Sequence, residues 1–183
     1  MNPIQEFIEK YNGVYHEEVE KVTYTPQGKY TSQAKWGKLI FQESSITLSI
    51  DEIGGADPVT EPFRMVMKLD TATSTELLIY PRSYLGRLLR ERFLNNNSPS
   101  IQTIHAQYRF TGNKKLRAQL CSMETFRDLI FNEYVCINIS RQKPKVVTIT
   151  PARGYRDLEH LETLASILKI VNNQVCKTVE SIR

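Results

Sequence analysis

Three histidines and three cysteines are the residues of this 183-residue sequence from which catalysis or metal binding would have to be built. His16, His105 and His160 fall in no HExxH and no zinc-finger spacing, and Cys121, Cys136 and Cys176 form no CxxC pair. Neither a zinc-hydrolase helix nor a structural zinc cluster is written here, and an odd cysteine count is no disulfide framework. His16 stands near Glu17, Glu18 and Glu20, a set that could hold a metal or pass a proton; at helical spacing such residues form a solvated face. His105 shares the polar face of a predicted strand with Gln107 and Arg109, a trio that could line a pocket but equally suits a surface in water. Asp157 and His160, three apart at a helix start, can touch, although Asp157 is better explained as the helix cap. Cys136 faces outward on a strand without a basic neighbour to lower its pKa, and Cys121 has Arg117 four residues earlier; both read as structural thiols. Serine-hydrolase, Walker, dinucleotide, kinase and calcium-loop motifs are missing. Gly54-Gly55 leads into Asp57-Pro58 and another strand, so it is a loop rather than a phosphate cradle. No catalytic residue, metal ligand or cofactor is assigned.

Positive charge is the stronger signal. Residues 1–80 carry a net −5, residues 81–157 a net +9 and residues 158–183 a net 0, so an acidic partner would be drawn to the middle of the chain. Arg82, Arg87 and Arg90 lie on or beside a predicted helix at 84–94. Arg87 and Arg90, three apart, can present two guanidinium forks to a phosphate or carboxylate, although Glu91 can neutralise Arg87. Lys114, Lys115 and Arg117, then Arg141, Lys143 and Lys145, then Arg153 and Arg156 fall at loops or element ends. Converging, they would form one anion-binding rim; scattered, they are solvated faces. Nucleic acid is not the favoured partner, because Tyr108 and Phe110 alternate with Arg109 and so turn inward, leaving no stacking platform.

The elements that must position these residues are mostly strands. Asn2-Pro3 starts a helix with Ile4, Phe7 and Ile8 on one face and Gln5 where a capping-box partner stands. That helix either runs through Gly13 to about Lys21 or ends at Asn12-Gly13 before a strand near Val19 to Thr25. Thr25-Pro26-Gln27-Gly28 is a turn, followed by a polar loop to Lys35. Trp36 to Gln42, Ile46 to Ile50, Phe63 to Leu69, Glu76 to Tyr80, Ile104 to Phe110, Val135 to Ile139 and Val147 to Ile149 read as strands, and Ser122 as the cap of a helix to Phe131. From Asp157 an amphipathic helix carries Leu161, Leu164, Leu168, Val171, Val175 and Ile182 on one stripe. Continued over 157–182 it would be about 39 Å long. Its last two turns could then project and pair with a second copy as a homodimer, unless Asn172-Asn173 ends the helix.

Residues 63–94 and 135–172 share one pattern of strand, turn, short strand, proline and helix, either an internal duplication or a common unit written twice. The expected fold is α+β: a mainly antiparallel β-sheet with helices packed on one face, with two related strand-hairpin-helix halves if the duplication is real. Residues 1–183 are read as a single domain, with a subdomain boundary at 95–100 separating 1–94 from 101–183 if one exists. The N-terminus lacks the basic start and apolar core of a signal peptide, and no apolar run approaches about 18 residues, so a soluble cytoplasmic protein with no membrane partner is expected. Function is expected to be non-catalytic, a binding or assembly module with a protein partner or with itself. The first alternative is nucleic-acid or anionic-ligand binding through the basic surface of residues 82–156; the second is an enzyme whose site includes His105 or His160.

Overall fold

The computed structural model describes residues 2–26, 28–54, 59–60, 63–69, 73–82, 101–131 and 133–180. Ten strands are formed: β1 Val14–Glu17, β2 Lys21–Thr25, β3 Gly28–Phe41, β4 Ser44–Gly54, β5 Val59–Thr60, β6 Arg64–Lys68, β7 Leu77–Pro81, β8 Tyr108–Gly112, β9 Val135–Ile139 and β10 Val146–Pro151. The described helices are α1 Pro3–Lys10, α2 Ile101–Gln107, α3 Lys114–Ser122, α4 Glu124–Ile130 and α5 Leu158–Glu180. All the described strands join one antiparallel sheet in the order β1-β3-β4-β6-β10-β9-β7-β8, with β2 beside β3 and β5 beside β4. The fold is therefore α+β, and strands from both sides of residues 95–100 share the sheet.

Strict alternation gives the sheet two unlike faces. One row across all eight strands of the main path runs Tyr15, Gly37, Leu48, Met65, Ile149, Ile137, Ile79, Phe110, each residue in register with the next. This row faces the helices. α5 crosses it, packing on β6 and β10 and touching α1, α3 and α4. Leu161, Leu164, Leu168, Val171 and Val175 are all buried. Gly37 makes room for α1: a Cβ there would lie 2.0 Å from Ile8 Cδ1.

Local signals explain the helix ends. Asn2 Oδ1 accepts from the Ile4 amide at 3.0 Å and Pro3 opens the helix, whereas Gln5 donates to Glu9 rather than completing a capping box. Asn12, at φ 51°, ends α1, so the second of the two expected readings holds. β1 follows at Val14 and β2 at Lys21, separated by a one-residue bulge in their shared pairing to β3. The polar segment before Lys35 is strand, not loop, because β2 and then β1 pair with one edge of β3 while β4 pairs with the other from Thr31 on.

Two expectations are corrected at residues 101–131. Ile104 to Phe110 is not one strand: α2 ends at Gln107 and β8 begins at Tyr108. The short α2 packs against both β8 and α3, so Ile104 and Ala106 are both buried and imitate strand alternation. Ser122 ends α3 instead of capping α4; Arg127 Nη1 satisfies the Cys121 and Ser122 carbonyls at 3.0 and 2.8 Å. The helix at 84–94 and the linker at 95–100 lie outside the described residues.

The apparent duplication is not two hairpins. β9 and β10 pair with each other, but β6 and β7 do not; the β9–β10 hairpin lies between them. α5 continues through Asn172-Asn173, and its final turns are occupied within the chain, with Val175 and Thr178 buried and the Thr178 hydroxyl 2.9 Å from Gln119 Oε1. No described helix is long and apolar enough to cross a membrane.

Candidate functional site

The face turned away from the helices is polar. Its central row, next to the core row, runs Val14, Lys38, Thr47, Val66, Thr148, Asn138, Leu78, Thr111. Two hollows lie along this row among the described residues. The first hollow, about 380 Å³, has Val66, Thr148 and Asn138 on its floor, Arg64, Thr150 and Cys136 along one flank, and Ser140, Gln142 and Lys143 along the other. The second, about 270 Å³, takes Asn138, Leu78 and Thr111 from the same row, with Glu76, Ser140 and the chain at Leu77, Gly112 and Ile139 around them. Asn138 and Ser140 belong to both, so the hollows adjoin.

The first hollow brings two cations together with three hydroxyls and two amides, and holds no carboxylate among its described lining residues. Such a set donates hydrogen bonds to an anion, and guanidinium and ammonium add charge. Burial pushes the Cys136 thiol up from its ordinary value, so it stays protonated and is a weak nucleophile. At the second hollow, Glu76 is held 3.1 Å from the Arg141 guanidinium, which comes from the β9–β10 turn. At the far end of the face the His16 and Trp36 rings stack 4.4 Å apart, with Lys38 Nζ 5.6 Å from the indole, so this ring is engaged by its own chain.

Of the basic residues singled out in the sequence, Lys143 lines the first hollow. Arg141 borders the second through Glu76, and Lys145 is an exposed neighbour in the same turn. Arg153 and Arg156 stand at the opposite end of β10, about 17 Å away along the strand. There Arg153 lies over the Tyr134 ring and Arg156 grips Glu133 with two bonds of 3.0 and 3.1 Å. Arg82 Nε donates to the His105 and Tyr108 carbonyls. Lys114 and Lys115 open α3, while Arg117 donates to the Phe110 carbonyl at 2.8 Å. Arg87 and Arg90 lie outside the described residues. The described basic loops thus scatter over several edges. Arg64 was missed: its alternation with Val66 and Lys68 marks it as outward, but only the pairing of β6 with β10 brings it to Lys143.

The histidines also separate. His16, on a strand rather than a helix, has no shared site with its acidic neighbours: Glu17 accepts from the Tyr15 hydroxyl at 3.0 Å and Glu18 pairs with Lys21 at 2.7 Å. His105 packs edge-on to Phe110, which faces the core with Tyr108. His160 is buried. Its Nδ1 accepts from the Arg156 amide at 3.1 Å, and its Nε2 lies 2.8 Å from Glu133 Oε2, off the line of a hydrogen bond. Asp157 is the helix cap, accepting from the His160 amide at 2.8 Å. Burial, and then Arg156, hold His160 below its ordinary pKa against the pull of Glu133 and Asp157. This cluster lines neither hollow, and the described residues contain no group of three or more His, Cys, Asp and Glu able to hold a metal ion. Compared with known proteins, the chain matches no family model, no curated protein and no solved structure.

Proposed function

We propose that this chain is a non-catalytic binding module that takes a small anionic ligand on the open face of its sheet. The observation that carries this reading is the first hollow, where Lys143 and the hydroxyl and amide side chains of Asn138, Ser140, Gln142, Thr148 and Thr150 come together, with Arg64 at its flank. Its volume lies within the ordinary range for small-ligand sites, roughly 300–1,000 Å³. Its floor is built on three neighbouring strands, which favours a preorganised surface over an adaptable loop. The thiol in the lining, Cys136, is kept protonated by burial, and no described histidine or carboxylate lines the hollow with it.

Calorimetric titration with inorganic phosphate and pyrophosphate at low salt tests the proposal. Binding is expected, with Arg64→Ala and Lys143→Ala each weakening it about tenfold, the loss of one charge-assisted hydrogen bond. Arg153→Ala, at the other end of β10, should leave it unchanged. Absence of binding, or equal binding by all three variants, would overturn the assignment.

A further inference from the structure

We propose that β2 is a self-association edge: two copies of this chain pair their β2 strands antiparallel about a two-fold axis at Thr23, joining their sheets. β2 pairs with β3 on one side and with no described strand on the other. Thr25 pairs with Gly28 only three residues on, and residues so close across a hairpin exchange both of their backbone bonds. By alternation Thr23 and Lys21 also bond to β3, which leaves the N–H and C=O groups of Val22 and Tyr24 pointing away from the sheet. Among the described residues nothing meets them. The edge shares no residue with either hollow, so it does not depend on the anion-binding reading.

The two ends of the sheet differ. At the β8 end α2 and α3 pack against the strand, and Arg117 Nη1 donates to the Phe110 carbonyl at 2.8 Å. At the β2 end the side chains are bare as well. Val22 pairs with Thr31 and Tyr24 with Lys29, on the side of β3 that turns Leu39 and Phe41 into the core, yet Val22 is 45% and Tyr24 78% exposed. An edge with apolar side chains and unpaired backbone groups is a template for another strand.

The strand that fits it is β2 itself. Laid antiparallel with all five residues paired, Lys21 faces the partner's Thr25, Val22 the partner's Tyr24 and Thr23 the partner's Thr23. The outward groups of Val22 then meet those of the partner's Tyr24, and symmetry repeats the exchange. Each of these pairs sets an aromatic ring beside a β-branched side chain, a favourable cross-strand combination, and no like charges stand opposite each other. An extended segment of another protein could use the same backbone groups, but a second copy brings matching side chains by symmetry alone. Pairing consumes the bare edge of both copies, so assembly closes at two. A contact this short lies well below about 1,200 Å², so the dimer is weak and dissociates on dilution.

Sedimentation of the full chain between about 10 and 500 μM should show monomer giving way to dimer as concentration rises. Val22→Pro removes an outward N–H while sparing the bonds to β3, and Tyr24→Lys charges the edge; both should stay monomeric, with melting temperatures confirming that they are folded. On the axis, Thr23 and the partner's Thr23 form a pair without mutual bonds, Cα atoms about 4.5 Å apart, within disulfide reach. Thr23→Cys should therefore cross-link on mild oxidation, whereas Lys29→Cys, one strand further from the axis, should not. A wild-type chain monomeric throughout overturns the proposal. So does a dimer that survives both edge substitutions, or Thr23→Cys cross-linking no faster than Lys29→Cys.

Discussion

His160 shows how much one residue can depend on its setting. Buried and uncharged, it accepts from the Arg156 amide and lies against Glu133, with Asp157 capping the same turn. Its pKa in the fold is below the ordinary 6.5 because burial penalises the imidazolium, a cost that Arg156 increases and that Glu133 and Asp157 do not recover. On acidification through 6.5 the unfolded chain therefore takes up a proton before the folded one, and stability is lost as pH falls below that value. Urea unfolding at pH 7.5 and pH 5.5 should show a lower midpoint at pH 5.5. His160→Asn, which keeps an acceptor for the Arg156 amide, should lose much of that dependence; an equal drop in both proteins would assign it to other groups. At this scale the sequence is most legible where a residue's role is local. Asn2 and Asp157 cap their helices as their neighbours imply, because a cap acts within three residues. Arg64 depends on a strand far along the chain and could be assigned a direction but not a partner.

Among the elements, the β3–β4 hairpin is held by means that its turn residues do not supply. Gln42 and Glu43 both adopt positive φ, 45° and 68°, the conformation of a two-residue turn that favours Asn-Gly. Lys169 of α5 compensates from outside, donating to the Gln42 carbonyl at 2.7 Å and the Ser44 hydroxyl at 2.8 Å, while Asn172 reaches the same hydroxyl at 3.3 Å. Replacing Gln42-Glu43 by Asn-Gly keeps the carbonyl that Lys169 uses and removes side chains unsuited to that backbone. It should raise stability by about 1 kcal/mol, seen as a melting temperature about 2–4 °C higher. No increase would mean that the α5 contacts already absorb the strain. Strands were legible where apolar and polar residues alternate, since alternation is a property of the residues themselves, whereas β1 and the polar first half of β3 were not. The α2–β8 junction was not, because a short helix packed on two sides buries residues two apart and so copies a strand.

The whole molecule is organised by pairings that cross the length of the chain. α1 packs on α5, where Lys10 forms an ion pair with Glu162 and Tyr11 donates to the same carboxylate at 3.1 Å; Tyr155 reaches back to Asn2 at 3.3 Å. Deleting residues 1–12 would uncover the surface that Ile4, Phe7 and Ile8 bury completely. At about 1.5–3 kcal/mol per side chain this consumes a large share of the 5–15 kcal/mol typical of a domain. The truncated protein should bind a hydrophobic dye and unfold without a sharp transition; a cooperative melt near that of the full chain would contradict the placement of α1. Fold class was readable from composition and alternation, but strand order was not, and the candidate site depends on strand order. The same order has a consequence for biosynthesis. A ribosome delivers β6 and β7 with their inner edges bare, and both must wait for residues 135–151 before either is paired on that side. Phe63, Met65 and Met67 wait longer still, because α5, the helix laid over β6, follows all ten described strands in the chain. Until α5 emerges, the nascent chain therefore carries an unfinished sheet with an apolar face and, before β9 and β10, two open edges, the kind of surface that chaperones bind.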